Sequence, residues 1–237
     1  ASMQRNINAK IVMPVSAPKI KINNTKKYGA KIIFYDPSKE TREQIGEDIA
    51  LKENRKLIKP YDDYDIIAGQ GTAAKEIVDD LNRYKVIPDL YVCCCGGGGL
   101  TAGTTTYIKS KYSEISTFCV EPEGFDDTKK SLESGERKRN SDDSYSICDS
   151  LLAPEPGELT FEINKLLLDG GITVTDLEVK NTIVFLAEHL KIICEPGGAV
   201  AAAAIINKKI DIKNKNVVVM ISGGNIDADT FKTLIWN

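Results

Sequence analysis

The residues best suited to chemistry lie in glycine-rich loops, the first of which is Gly96–Gly99. These four glycines stand between the apolar run Leu90–Cys95 and a segment from Leu100 that is typical of a helix. Without Cβ atoms, several backbone amides can converge on one point at the N-terminus of that helix, where the helix dipole favours negative charge. Each charge-assisted contact from an N–H group contributes on the order of 1.5–3 kcal/mol. The sequence therefore predicts a phosphate-binding loop.

This loop by itself is compatible with a dinucleotide. Gly97, Gly99 and Ala102 have the spacing of the G-x-G-x-x-A fingerprint, and Glu121 lies 22 residues after Gly99. Glu121 ends the next predicted strand, where a ribose-binding acid would lie. A Walker A loop is excluded because no Lys-Ser or Lys-Thr pair follows the glycines. An NAD-binding oxidoreductase is therefore one candidate.

A second loop, Ser222-Gly223-Gly224-Asn225, favours a different ligand. It follows the buried run Val217–Ile221, so in an open parallel sheet it would line the same carboxyl edge as the first loop. The Ser222 hydroxyl could form a hydrogen bond with a ring nitrogen. Gly197-Gly198, after Glu195-Pro196, adds a third close approach of the backbone. This combination argues against NAD.

The titratable residues exclude several classes of enzyme. His189 is the only histidine, which removes most metal-hydrolase sites and weakens any Ser/His/Asp triad. Its helical spacing predicts a surface residue rather than a catalytic base. No C-x-x-C motif is present, and free cysteines are common in buried strands and in a reducing cytoplasm. We expect all six cysteines to be unpaired: Cys93, Cys94, Cys95, Cys119, Cys148 and Cys194.

Composition indicates a folded protein without a nucleic-acid-binding surface. The 237 residues are 42% hydrophobic and 27% charged, with a net charge of −3 and no long basic run, so nucleic-acid binding is not expected. No apolar stretch approaches the roughly 18 residues of a membrane span, and no signal peptide is evident. We expect a cytoplasmic homo-oligomer, a dimer.

Periodicity predicts alternating strands and helices, and hence an α/β fold with a parallel sheet. Glu121–Gly157 is expected to be irregular. A loop at residues 60–64 divides the prediction into a partial small domain at 1–66 and a large domain at 67–237. The predicted strands are 9–13, 31–35, 90–95, 117–120 and 217–221, and the predicted helices are 16–28 with Ser16 as cap, 39–54, 71–82, 100–110, 175–190 and 198–207.

Two further segments, Glu121–Asp127 and Pro154–Phe161, complete a family pattern together with Gly96–Gly99 and Ser222–Asn225. Over nearly its whole length the chain resembles the pyridoxal-phosphate-dependent serine/threonine dehydratases. Their fold type is the two-domain, parallel-sheet type shared with tryptophan synthase β and serine racemase. The resemblance implies pyridoxal phosphate as cofactor and a small amino acid as substrate.

The resemblance also implies roles for individual residues. Gly96–Leu100 would hold the cofactor phosphate, and Ser222 would bond the pyridine nitrogen. Glu195 resembles the family's acid near the ring, whereas Asn225 shapes the loop. A divalent-cation site for Mg²⁺, Ca²⁺ or Mn²⁺ would be formed by Glu121, the carbonyl of Phe125, and Asp127, with an acidic solvated loop as the alternative.

Some parts of the family pattern do not occur in this sequence. The family's Schiff-base lysine lies in a Ser-x-Lys-x-Arg-Gly pattern, and an S-x-G-N-H segment covers the ring. Neither is found, so we expect a chain that begins after the family's N-terminal part. Ser150 stands where relatives carry a smaller residue, which would narrow the substrate side. Because little sequence follows Ser222–Asn225, we expect no regulatory domain of the kind found in biosynthetic threonine deaminases.

These observations support several functions. The first is a dehydratase that eliminates water from L-serine or L-threonine and is inactive as this chain alone. The alternatives are a catalytically dead family remnant that binds a ligand or partner, a serine racemase-type enzyme, and the NAD-binding oxidoreductase.

Overall fold

The computed structural model describes residues 1–236 and confirms the predicted α/β class. These residues form nine α-helices and six strands, and every strand pair is parallel. The chain divides into two compact units. The first contains Ala1–Ile58 and Asn225–Asp229, and the second contains Lys59–Gly224 and the C-terminal stretch from Thr230. The domain division after residue 66 stays a prediction.

The first unit is built on a two-stranded parallel sheet. Strand β1 (Lys10–Pro14) pairs with β2 (Lys31–Tyr35), with Lys10 opposite Lys31. Helix α1 (Lys19–Lys27) connects the strands, and α2 (Arg42–Lys52) follows them. The prediction that Ser16 caps α1 is wrong.

The reason is the proline before the helix. Pro18 occupies the N-cap position of α1 in an extended conformation, and no side chain caps the helix. A proline disfavours helical backbone angles at the residue before it, so the helix does not include Ala17. The helix therefore begins at Lys19, and not directly after Ser16.

The second unit contains a four-stranded sheet in the order β5-β4-β3-β6. The strands are β3 (Leu90–Cys94), β4 (Ser116–Pro122), β5 (Gly170–Val174) and β6 (Val217–Val219). Because β3 and β6 are parallel neighbours, the loops that follow them leave the sheet at the same edge. This topology brings the two predicted glycine loops together.

The helices of the second unit surround this sheet. α4 follows β3 directly, and the buried alanine-rich helix α8 packs against β3, β4 and β5. Among residues 1–236, no helix is long and apolar enough to cross a membrane. The remaining helices of the chain are α3 (Tyr64–Tyr84), α4 (Gly99–Lys111), α5 (Asp127–Ser134), α6 (Glu158–Leu167), α7 (Asp176–Phe185), α8 (Pro196–Ile206) and α9 (Ala228–Trp236).

Several predicted bounds were wrong. Helix α3 begins at Tyr64 instead of Gly71, because the Asp63 carboxylate accepts hydrogen bonds from the amides of Asp65 and Ile66. The segment predicted as irregular contains α5, and neither α6 nor β5 was predicted. The Thr175 capping box is confirmed, although α7 ends at Phe185 and continues as one π-helical turn.

Candidate cofactor site

The glycine loop joins the end of β3 to the start of α4. Gly98 has a φ of +91°, a left-handed conformation that favours glycine, and it is the N-cap residue of α4. Within residues 1–236, none of the five amides of Gly96–Leu100 donates a hydrogen bond to another group of the chain. An anion at the N-terminus of α4 would satisfy these donors.

Helix α6 holds the loop from the opposite side. The Thr160 hydroxyl donates to the carbonyl oxygen of Gly97 at 2.7 Å, and the Gly157 amide donates to the same oxygen at 3.3 Å. The Asn164 side-chain amide donates to the carbonyl oxygen of Gly98 at 3.4 Å. Both Thr160 and Asn164 are fully buried. With its carbonyls bound by α6, the loop is left with its amides as free donors.

The segment before α3 supports the same loop. The Asp62 carboxylate accepts hydrogen bonds from the amides of Leu159 at 2.9 Å and Thr160 at 3.3 Å, so it caps α6. The Tyr61 ring fills the space that a side chain at Gly97 would need. From the sequence, this segment is predicted only as a boundary loop. Asp62 is a typical capping residue, but nothing in the sequence indicates that its target lies in α6.

The second loop reaches the end of β3. The Cys94 thiol donates to the Ser222 hydroxyl oxygen at 3.2 Å, and Cys94 lies two residues before the first glycine. The next carbonyl oxygen, that of Gly223, accepts from the Glu195 amide at 3.1 Å and from the Cys194 thiol at 3.1 Å. The structure therefore gathers the glycine loop, Ser222 and Glu195 at one edge of the sheet. Their roles stay predictions.

Two other residues singled out in the sequence are Asn225 and Ser150. Asn225 belongs to the first unit, where its side-chain oxygen accepts from the Asn24 amide at 3.2 Å. Ser150 lies against the same glycine-rich backbone as the site: its hydroxyl contacts Gly197 and its carbonyl oxygen lies beside Gly96. A larger side chain at position 150 would therefore press on the glycine loops.

The two predicted metal-binding carboxylates are fully buried. Glu121 accepts hydrogen bonds from the amides of Thr128 at 2.9 Å and Lys129 at 2.8 Å, at the start of α5. Burial raises the pKa of Glu121 well above its usual range. These contacts explain why Glu121 is unsuited to a ribose hydroxyl, since its oxygens already bind α5. The NAD-binding interpretation is therefore left without an acidic residue to bind the ribose.

Asp127 occupies a different environment beside Glu121. One of its oxygens accepts from the Asn140 side-chain amide at 2.5 Å, while the other is buried without a hydrogen-bond partner. Burial raises the pKa of Asp127 to about 7. In the described part of the chain, no cluster of three or more His, Cys, Asp or Glu side chains could hold a metal ion. The cation site, with the Phe125 carbonyl as third ligand, stays a prediction.

The other titratable residues lie as expected. All six cysteines are buried and unpaired. His189 is exposed, with its ring 4.6 Å from the Phe185 ring.

The site fits pyridoxal phosphate in two respects. The unbonded amides of Gly96–Leu100 suit a phosphate dianion, and the Ser222 hydroxyl suits an uncharged ring nitrogen. Both groups lie at the carboxyl edge of one parallel sheet, the position at which ligands bind in open α/β folds.

Comparison with known proteins agrees with this geometry. The sequence profile of pyridoxal-phosphate dependent enzymes matches residues 1–223, so the chain belongs to this family. The family resemblance drawn from the sequence is thereby confirmed, with pyridoxal phosphate as the family's cofactor.

Individual relatives include two ammonia-lyases and a racemase. The chain is 38% identical to L-threo-3-hydroxyaspartate ammonia-lyase of Saccharomyces cerevisiae, over 97% of this chain and 69% of that protein. It is 36% identical to L-threonine ammonia-lyase of Thermotoga maritima, over 97% of this chain and 56% of that protein. The crystal structure of serine racemase from Dictyostelium discoideum matches with a TM-score of 0.84 and 37% identity, covering 95% of this chain and 71% of that one.

Proposed function

We propose that this chain binds pyridoxal phosphate at Gly96–Leu100 and Ser222 and serves an ammonia-lyase reaction. The reaction would eliminate water from L-threonine or L-serine and yield a 2-keto acid and ammonia. The observation that carries the proposal is the run of five unbonded amides at the start of α4, held in place by α6. The likeness to two ammonia-lyases supports the reaction class.

Each residue of the site has a defined task in this proposal. The amides of Gly96–Leu100 bind the phosphate and so fix the position of the cofactor ring. The Ser222 hydroxyl bonds the ring nitrogen without holding it protonated, as a carboxylate would. Bound pyridoxal phosphate supplies an electron sink for loss of the α-proton and the β-hydroxyl. Glu195, at the start of α8, places its carboxylate near the ring.

A divalent-cation site and a racemase activity remain separate proposals. A hard divalent ion would bind at Glu121, Phe125 and Asp127; Asp127 offers an unpartnered carboxylate oxygen, whereas Glu121 would have to bind the ion in addition to the two amides at the start of α5. Racemisation of serine is a second candidate activity, favoured by the structural likeness to serine racemase. Elimination of water and racemisation would use the same cofactor, so the two activities are distinguished by analysing the products.

The proposal is tested by measuring 2-keto acid release and the chirality of remaining serine at saturating cofactor. Residues 1–237 contain no Ser-x-Lys-x-Arg-Gly sequence. We expect the chain alone to show no turnover, since loss of a general base lowers the rate about 10²–10⁴-fold. Adding a polypeptide that carries this lysine pattern should restore 2-keto acid release. Turnover by the chain alone would contradict this account, and Lys26 and Lys27 would be the first residues to mutate.

A further inference from the structure

The hydroxyl of Ser222 has an unusual neighbour. Its oxygen accepts a hydrogen bond from the Cys94 thiol at 3.2 Å, across 128 residues of sequence. Cys94 is buried and ends strand β3, whereas Ser222 is exposed at the site. The thiol therefore approaches Ser222 from the protein interior, on the side away from solvent.

This contact determines the direction of the serine hydroxyl. A hydroxyl has one hydrogen to donate and two lone pairs that accept. Because Cys94 donates to one lone pair, the hydroxyl hydrogen of Ser222 does not point back toward Cys94. It is left to point toward a ligand, and a hydroxyl that accepts one hydrogen bond becomes a better donor in another.

A second thiol holds the next residue of the same loop. Cys194, which is fully buried, donates to the carbonyl oxygen of Gly223 at 3.1 Å, and the Glu195 amide donates to that oxygen as well. The loop is thus held at two consecutive residues by groups from β3 and from the start of α8. This restraint keeps the Ser222 oxygen within reach of Cys94.

We propose that Cys94 is a positioning residue that directs the hydroxyl hydrogen of Ser222 toward the ring nitrogen of the cofactor. The inference rests on the proposed function, because it requires pyridoxal phosphate to be bound with its ring nitrogen at Ser222. Cys94 touches neither the cofactor nor a substrate. Its effect passes entirely through the serine.

The test is a comparison of two ligands in four proteins, by absorbance and fluorescence titration. The ligands are pyridoxal phosphate and its 1-deaza analogue, in which a C–H group replaces the ring nitrogen. The proteins are the unaltered chain, Cys94→Ala, Cys94→Ser and the control Cys119→Ala. Cys119 is equally buried, but its thiol lies toward the Gly170 carbonyl at 3.7 Å, away from Ser222.

The titrations are made at about pH 6.5, roughly two units below the usual pKa of a thiol. This choice matters because a side-chain hydrogen bond with Cys93, followed by the bond with Ser222, lowers the pKa of Cys94. A pH below the usual pKa of a thiol favours the protonated form of Cys94, which is the form that can donate to Ser222. The absorption spectrum of the bound cofactor is recorded in the same titrations, because it responds to hydrogen bonding at the ring nitrogen.

We expect Cys94→Ala to weaken binding of pyridoxal phosphate about 3- to 10-fold, which corresponds to the loss of one neutral hydrogen bond. Binding of the deaza analogue should change less than about 2-fold, because that ligand has no nitrogen for the hydroxyl to reach. Cys94→Ser restores a donor and should recover the affinity, and Cys119→Ala should leave the ratio of the two affinities unchanged. If Cys94→Ala does not fold, Cys94→Val fills the space of the thiol without donating.

Three results would overturn the inference, and they are distinguishable. Equal weakening of both ligands in Cys94→Ala would reduce Cys94 to a packing residue. If the unaltered chain prefers pyridoxal phosphate over the deaza analogue and Cys94→Ala binds pyridoxal phosphate equally well, Cys94 has no positioning role. The proposed function is then unaffected. Failure of the unaltered chain to bind pyridoxal phosphate would overturn the proposed function together with this inference.

Discussion

The hydroxyl of Thr160 lies outside the glycine loop but holds one of its carbonyl groups. It donates to the carbonyl oxygen of Gly97 at 2.7 Å, on the side of the peptide opposite the amides. The peptide group is planar, so its carbonyl and its N–H group turn together. A hydrogen bond that fixes the direction of the carbonyl therefore also fixes the direction of the N–H group.

We predict that Thr160→Val weakens binding of pyridoxal phosphate about 3- to 10-fold, the size expected for one hydrogen bond. Affinity for pyridoxal, which lacks the phosphate, should change much less. Thr182→Val is a matched control, because Thr182 is equally buried but donates only to the Glu178 carbonyl within its own helix. Titration of both variants with both ligands makes the comparison. An equal loss in the two variants would contradict the role given to Thr160.

Asp127 makes stability depend on pH. Its pKa of about 7 in the folded chain lies above the usual 3.8, so between these values the folded state binds more protons than the unfolded state. The free energy of unfolding should therefore decrease as the pH rises from about 4 to about 7, by at most about 4 kcal/mol. Glu121, whose pKa is also raised, acts in the same direction.

Replacing this carboxyl group tests its share of the effect. We predict that the free energy of unfolding of Asp127→Asn decreases less over this pH interval than that of the unaltered chain, because a neutral amide does not ionise. Urea unfolding at several pH values gives the slope of stability against pH. An unchanged slope would show that Asp127 ionises in the folded chain as easily as in water. Asp80→Asn, at an exposed position of α3, controls for removing a carboxylate.

Among the elements, α3 and α4 approach each other at glycines. A Cβ atom at Gly103 would collide with the carbonyl oxygen of Ile67, and one at Gly71 would lie 3.0 Å from the carbonyl oxygen of Gly103. Because α4 carries the glycine loop at its start, a change in this crossing would move the loop.

We predict that Gly103→Ala lowers the free energy of unfolding by about 1–3 kcal/mol, because backbone atoms cannot move aside as a flexible side chain can. Gly69→Ala in α3 is the control. No atom lies within 4 Å of a Cβ built at Gly69, and alanine is the better helix former. Gly69→Ala should therefore be neutral or stabilising in thermal unfolding. Equal stability of the two variants would contradict the close helix crossing.

Elements with their signals in local sequence were predictable, whereas elements that depend on distant residues were not. The Thr175 capping box and the strand before Gly96 were both correct. Helix α6 has no cap of its own, because Asp62 supplies it from 97 residues away. Helix α5 likewise has its first amides bound by Glu121, which precedes the helix in β4. Strand β5 begins with two glycines, a pair that in sequence is more typical of a turn than of a strand.

For the whole molecule, the site is a product of topology. Residues from Tyr61 to Ser222 meet because β3, β4 and β6 are parallel and end at one edge of the sheet. The glycine loop and Ser222 could be predicted from sequence, since each directly follows an apolar run. Tyr61, Thr160, Asn164 and Cys94 could not, because their contacts with these loops depend on tertiary packing.

In the proposed function, the amides of Gly96–Leu100 bind the phosphate of pyridoxal phosphate. The most direct measurement is calorimetric titration of the chain with pyridoxal phosphate, pyridoxal and NAD under the same conditions. Several charge-assisted hydrogen bonds should make pyridoxal phosphate bind at least about 100-fold more tightly than pyridoxal, and more tightly than NAD. Equal affinities for pyridoxal phosphate and pyridoxal, or tighter binding of NAD, would contradict the account.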